Sequence, residues 1–130
     1  GPQAGANYNF ISCFTPGGTD QSVGNREMSA FADKMGRSAM KQDINYVGGW
    51  VAGQMAAEAI ARLGASPSRA KLVESLAKGF TVDTKGLAAP FSYTADNHDG
   101  PSVLKMFTFD YATSKYKSFG EFGDYAKYTK

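Results

Sequence analysis

The chain has one cysteine, one histidine and one tryptophan, and no long apolar run. Each shortage removes a class of function. The lone Cys13 forbids an internal disulfide and any CxxC metal or redox motif. It stands in Phe10-Ile11-Ser12-Cys13-Phe14, an apolar run that reads as a buried strand. Nothing nearby would lower its pKa, so the reading is a small buried hydrophobe rather than a nucleophile. No stretch approaches the roughly 18 apolar residues of a membrane-spanning helix. The start lacks a basic region followed by an apolar stretch, so no signal peptide is read there, and a mature secreted chain would already have lost one. Charge of one sign is scarce too: 14 Lys and Arg against 12 Asp and Glu leave only +2. That surplus is too small and too scattered to draw nucleic acid or an acidic membrane. Lysines gather towards the end (Lys105, Lys115, Lys117, Lys127, Lys130), but Asp110, Glu121 and Asp124 interrupt them, which predicts a solvated face.

What is present suits one folded unit. At 130 residues the chain is long enough to bury roughly two-thirds of its unfolded surface. A hydrophobic content of 42% and a charged content of 20% are those of a globular protein. No internal repeat or low-complexity linker divides it, so residues 1–130 are read as a single segment.

Local patterns place the elements. Asn7 to Phe14 predicts a strand rich in β-favouring bulk, ended by the loop Thr15-Pro16-Gly17-Gly18-Thr19-Asp20. Met28, Phe31, Ala32 and Met35 recur at i, i+3, i+4 and i+7, predicting a surface helix over Val23 to Met35, stopped by Gly36. A longer helix runs to Gly64. Its apolar stripe is Val47, Val51, Met55, Ala59 and Leu63, and its polar stripe includes a correctly ordered Glu58/Arg62 pair. Ser66 as N-cap with Pro67 at the first helical position predicts a third helix, with Leu72, Val73, Leu76 and Ala77 apolar and Gly79 closing. Beyond it, Phe80-Thr81-Val82 is extended and Asp83-Thr84-Lys85-Gly86 turns. Pro90 to Thr94 and Val103 to Phe109 predict two strands pairing as a hairpin across Asp96-Asn97-His98-Asp99-Gly100-Pro101. The aromatic tail (Tyr116, Phe119, Phe122, Tyr125, Tyr128) is interrupted by Gly120 and Gly123, which predict a bent, docked segment.

No catalytic constellation stands out. His98 lies in a hairpin turn rich in Asp, Asn and Gly, where hydrogen bonding to its own loop is the expected role, since a general base needs a positioned partner in a cleft. Asp96, His98 and Asp99 within one short turn make a poor closed metal site. Gly17-Gly18 lacks the surrounding spacing of a phosphate-binding loop. The expectation is a non-enzymatic binding protein with no cofactor or metal.

Four features stand in register: Tyr46-Val47-Gly48-Gly49-Trp50, Ser66-Pro67-Ser68-Arg69, Asp83 to Pro90, and Asp96-Asn97-His98-Asp99-Gly100. Together they resemble the carboxy-terminal third of the type I periplasmic solute-binding proteins, the branched-chain amino acid and amide-binding family of ABC transporters. The resemblance runs from Tyr8 to about Phe119, and the tail is longer and more aromatic than the family's usual ending. It implies an α/β fold, part of one lobe of a two-lobed protein built as a three-layer αβα sandwich, here with a C-terminal β-hairpin and aromatic tail. One leading strand is too little sheet for the apolar stripes of the predicted helices. The remainder of the parent protein, or a swapped copy, is therefore expected to complete it.

The resemblance further implies a small-molecule solute such as a branched-chain amino acid, an amide or a small organic acid, captured between lobes and handed to an ABC permease. The place would be the periplasm, or outside the membrane on a lipid anchor in a Gram-positive cell. By the same resemblance an aromatic at the start of the long helix faces the cleft. Tyr46 matches that position, with Trp50 one turn on and Phe14 at the hinge exit; the alternative for Tyr46 and Trp50 is that both are core aromatics packing the helix onto the sheet. A ligand-sensing regulator on the same scaffold and a non-enzymatic interaction module are the alternative readings.

Overall fold

The computed structural model describes residues 8–124, so Tyr125, Lys127, Tyr128 and Lys130 of the tail lie outside the described residues. It is mixed α/β, with a small antiparallel sheet and three helices. The order is β1 (Asn9–Ser12), α1 (Val23–Lys34), a 3-10 turn (Ser38–Met40), α2 (Ile44–Arg62), α3 (Arg69–Ala77), β2 (Phe80–Val82), β3 (Phe91–Tyr93), β4 (Val103–Asp110) and β5 (Lys115–Asp124).

The helices follow local chemistry. Ser22 caps α1 by accepting from the Asn25 N–H at 3.3 Å, and Asp43 caps α2 by accepting from the Asn45 N–H at 2.8 Å. The Glu58–Arg62 pair forms at 2.9 Å, and the Arg62 guanidinium also lies 4.6 Å from the Phe80 ring centre, tying α2 to β2. On α1, Met28 and Ala32 are buried, while Phe31 is 43% exposed. The buried face is therefore Gly24, Asn25, Met28 and Ala32, one flank away from the stripe the periodicity predicted. On α2 the stripe is buried at Val47 and Val51 and half-buried from Met55 onward. None of α3 is buried, and Leu72 and Leu76 are half-exposed. The third cap is Ser68, not Ser66: the Ser68 hydroxyl accepts from the Lys71 N–H, and the Lys71 ammonium reaches back to the Ser66 carbonyl. Both serines are competent cap residues by type.

Strand pairing departs from the local reading. The hairpin expected between Pro90–Thr94 and Val103–Phe109 does not form. β3 turns back on β2 instead, with Phe80 opposite Tyr93 and Val82 opposite Phe91. β4 lies between β1 and β5, pairing Phe10 with Phe107 and Phe109 with Tyr116. The hairpin at the C-terminal end is thus β4–β5, and the aromatic tail up to Asp124 is a strand rather than a docked segment. Between the pairs Leu104/Gly123 and Met106/Phe119, Lys105 faces a bulge of residues 120–122, where Gly120 takes a φ of 75°. The glycine signal marked a bulge, which needs the left-handed conformation that glycine adopts at little strain. All strand pairings among the described residues are antiparallel.

One cluster holds the helical part together: Met28, Val47, Val51, Leu87, Ala88 and Phe91, with Phe14, Tyr46, Trp50, Met55 and Tyr93 packed around it. The sheet joins it through the loop after β1. There the Thr15 N–H donates to the Leu87 carbonyl at 2.7 Å, and the Ala89 N–H to the Cys13 carbonyl at 2.8 Å.

Candidate functional site

Phe14, Tyr46 and Trp50 converge from different elements. Tyr46 and Trp50 occupy the first two turns of α2, and Phe14 leaves β1 to bridge Ala88. Helix and loop lie close here: a Cβ on Gly48 would make ordinary contact with the Phe14 ring, at 3.4 Å. Phe14 stacks on Phe91 with ring centres 6.2 Å apart, and Trp50 tilts against Phe31 at 5.0 Å. All three candidates are half-buried and pack on the same cluster. The Trp50 indole N–H and, one turn on, the Gln54 carbonyl oxygen are buried without a hydrogen-bond partner among the described residues. An unpaired buried donor or acceptor is uncommon in a folded protein and costs about 1–3 kcal/mol.

The loop beneath this group is fixed by a buried asparagine. The Asn25 amide donates to the Pro16 carbonyl at 3.0 Å, and its carbonyl accepts from the Gly18 N–H at 2.8 Å. The sequence gives Asn25 no distinguishing signal beyond its place three residues after the Ser22 cap.

Lys105 corrects the reading of the C-terminal lysines as one solvated face. It is only 7% exposed, because strand alternation puts it on the side of buried Phe107. The bulge brings the Glu121 carboxylate to 4.0 Å and the Phe122 ring to 5.4 Å, while Asp20 stands at 3.9 Å. The period-two run Lys105, Phe107, Phe109 carried that signal. Lys117, on the outer side, pairs with Asp110 at 2.6 Å.

Among the described residues, three surface cavities stand out. One, of about 510 Å³, lies between Pro90, Ser92 and the Gly100–Val103 segment, beside Phe122. A second, about 430 Å³, is mostly apolar and runs between α3 (Val73, Leu76, Ala77) and Tyr93, Ala95 and His98. A third, about 290 Å³, lies where β1 and β5 meet the start of α2, lined by Tyr8, Phe10, Pro16, Gln42, Asp43, Ile44 and Tyr116. None of these three is lined by Phe14, Tyr46 or Trp50. The loop around His98 is held by the Thr94 hydroxyl, which accepts from the Asp96 and Asn97 N–H groups, and by Asn97, which accepts from the Asp99 N–H. His98 itself takes no part in these bonds; its ring lines the second cavity.

Titratable groups are perturbed at the periphery. Burial pushes the Cys13 thiol up, which keeps it protonated and unreactive. Hydrogen bonds from Lys41 and then Ser38 hold the Asp33 carboxyl below its usual range, and Lys78 does the same for Glu74. The Lys117 ammonium draws Asp110 down to about 2. Among the described residues, no three His, Cys, Asp or Glu side chains come close enough to hold a metal, and no helix is long and apolar enough to cross a membrane. The chain matches no protein-family model, no curated protein and no solved structure.

Proposed function

We propose that this chain is the carboxy-terminal part of a type I solute-binding protein, and that Tyr46, Trp50 and Phe14 form one aromatic wall of its ligand cleft. The solute is a branched-chain amino acid, an amide or a small organic acid, delivered to an ABC permease outside the cytoplasm. The observation that carries this reading is the meeting of Phe14, from the loop after β1, with Tyr46 and Trp50, one turn apart on α2, on one cluster with each residue still partly open to solvent. A binding wall needs such amphipathic faces held by a rigid base. Only two of the six stripe residues Met28, Phe31, Val51, Met55, Leu72 and Leu76 are buried, Met28 and Val51. That leaves apolar surface for the rest of a three-layer lobe.

The test is a thermal-shift screen of the intact protein against branched-chain amino acids, aliphatic amides and small organic acids. A rise in Tm with one of these, lost in Tyr46→Ala while the variant stays folded, supports the assignment. A folded protein that responds to none of them sinks it. An unchanged affinity in Tyr46→Ala, with a lowered Tm, would make that side chain core rather than wall.

A further inference from the structure

The cavity at the junction of β1, β5 and α2 has a composition that neither the core nor the aromatic wall explains. Three aromatic residues bound it, Tyr8 and Phe10 from the β1 side and Tyr116 from β5, and among the described residues Asp43 carries the only charge in its lining. The rings are set as a corner. Tyr8 and Phe10 are tilted by 31° at 6.1 Å, whereas Phe10 and Tyr116 stand nearly perpendicular, at 76° and 5.3 Å.

Two of the walls are fixed from behind, while Tyr8, 55% exposed, is held at its backbone. Phe10 stacks on fully buried Phe107 at 5.2 Å, Tyr116 meets Phe109 edge to face at 5.0 Å, and the Tyr8 carbonyl accepts from the Thr108 hydroxyl at 3.1 Å. Pre-set walls of this kind bind without having to be ordered first.

We propose that this cavity binds the methylated ammonium group of a small free solute. Aromatic faces carry partial negative charge, and a cation placed among several of them beside a carboxylate is attracted by all. A methylated ammonium suits such a box better than a bare one, since it sheds water readily and its methyls bury against the rings. An anion is disfavoured. The N-terminus of α2 contributes only about half a unit of positive charge. The Asp43 carboxylate, already accepting from the Asn45 N–H, outweighs it with a full negative charge. The Gln42 side chain, also in the lining, supplies a polar group for a hydroxyl on the solute. The volume of about 290 Å³ lies just under the range of drug-sized sites, roughly 300–1,000 Å³, which suits a small solute. This site does not depend on the solute-capture reading above, because Phe14, Tyr46 and Trp50 take no part in it.

Isothermal titration of the intact protein with choline tests the proposal, alongside the neutral tert-butyl analogue of choline and propionate. The variant of choice is Asp43→Asn, which removes the charge but keeps a side chain that caps helices equally well, so α2 should stay folded. The expected result is saturable choline binding, with the neutral analogue weaker by about tenfold or more and a similar loss in Asp43→Asn. A second variant, Tyr116→Leu, keeps apolar bulk but removes a ring, and should also weaken choline binding. Absence of choline binding by folded protein, equal binding of the neutral analogue, preference for propionate, or unchanged affinity in Asp43→Asn would each overturn the proposal.

Discussion

The Thr84 hydroxyl closes a two-bond ring on Ala88, donating to its carbonyl at 2.7 Å and accepting from its N–H at 2.9 Å. Both residues are almost wholly buried. This ring folds the segment between β2 and β3 so that Phe91 returns opposite Val82 and Leu87 enters the core. Thr84→Val keeps the shape and removes the hydroxyl, stranding a buried donor and a buried acceptor. A loss of about 1–3 kcal/mol for each stranded group is expected in urea unfolding. A loss below about 0.5 kcal/mol, within the range of ordinary surface changes, would show that water or a backbone shift replaces both bonds.

Two glycines should respond in opposite directions to alanine. A Cβ on Gly24 would stand 2.2 Å from the Thr84 carbonyl oxygen, a backbone atom with no room to move. Gly24→Ala should therefore destabilise by about 1–3 kcal/mol. Gly53 lies inside α2 with nothing within 4 Å of the same position. Gly53→Ala should stabilise by about 0.5–1 kcal/mol, because alanine loses less backbone freedom in a helix. Chemical denaturation of both variants checks the pair, and a Gly24→Ala protein as stable as the parent would contradict the close approach of α1 to the Thr84 turn.

Helix stripes differ in how much they hold. Val51→Ala empties space in the closed cluster and should cost about 1–4 kcal/mol. Leu72→Ala, on half-exposed α3, should cost less, since part of the side chain already meets water. Urea midpoints of the two variants give the order directly, and a larger loss for Leu72→Ala would mean that α3 is covered in solution.

Lys105→Met is expected to be neutral or stabilising. The lysine is buried, and its carboxylate neighbours at 3.9 and 4.0 Å form ion pairs without a hydrogen bond, so their attraction does no more than offset the desolvation of the ammonium. Methionine fills the same channel beside Phe122 without the charge. A loss of more than about 1 kcal/mol in denaturant unfolding would instead give the ammonium a bonded structural role.

Acid should weaken the β4–β5 hairpin. Lys117 holds the Asp110 carboxyl at about 2, against an ordinary value of 3.8. A depressed carboxyl contributes stability above its unfolded pKa and loses it as pH falls through the folded one, so the window runs from 3.8 down to about 2. Asp33 and Glu74, lowered by Lys41 and Lys78, act in the same direction. Carbon-detected NMR titration of Asp110 should give a midpoint near the lower end of that window, moving up in Lys117→Met. A midpoint at 3.8 in the parent protein would show the ion pair to be absent in solution.

Local chemistry alone determined the helices. The spans of α1 and α2, the glycines after them and the Glu58–Arg62 pair depend on residues a few positions apart, so they can be read without knowing the fold, whereas the flank that α1 buries could not. The β-forming character of Val103 to Phe109 was legible for the same reason. Partners of strands were not. β1 finds β4 across almost the whole chain, with Thr108 bonded to Tyr8 at a separation of 100 residues, and no local pattern records that choice. The tail became β5 because β4 had an open edge, and its glycines served a bulge that only the pairing register could reveal. The same holds for sites. Tyr46 and Trp50 could be placed on α2 from sequence, but their meeting with Phe14, the burial of Lys105 and the corner formed by Tyr8, Phe10 and Tyr116 required the sheet to close. Spacing along a helix is fixed by its own hydrogen bonds, whereas the face a strand turns inward depends on its neighbours and on what packs against the sheet.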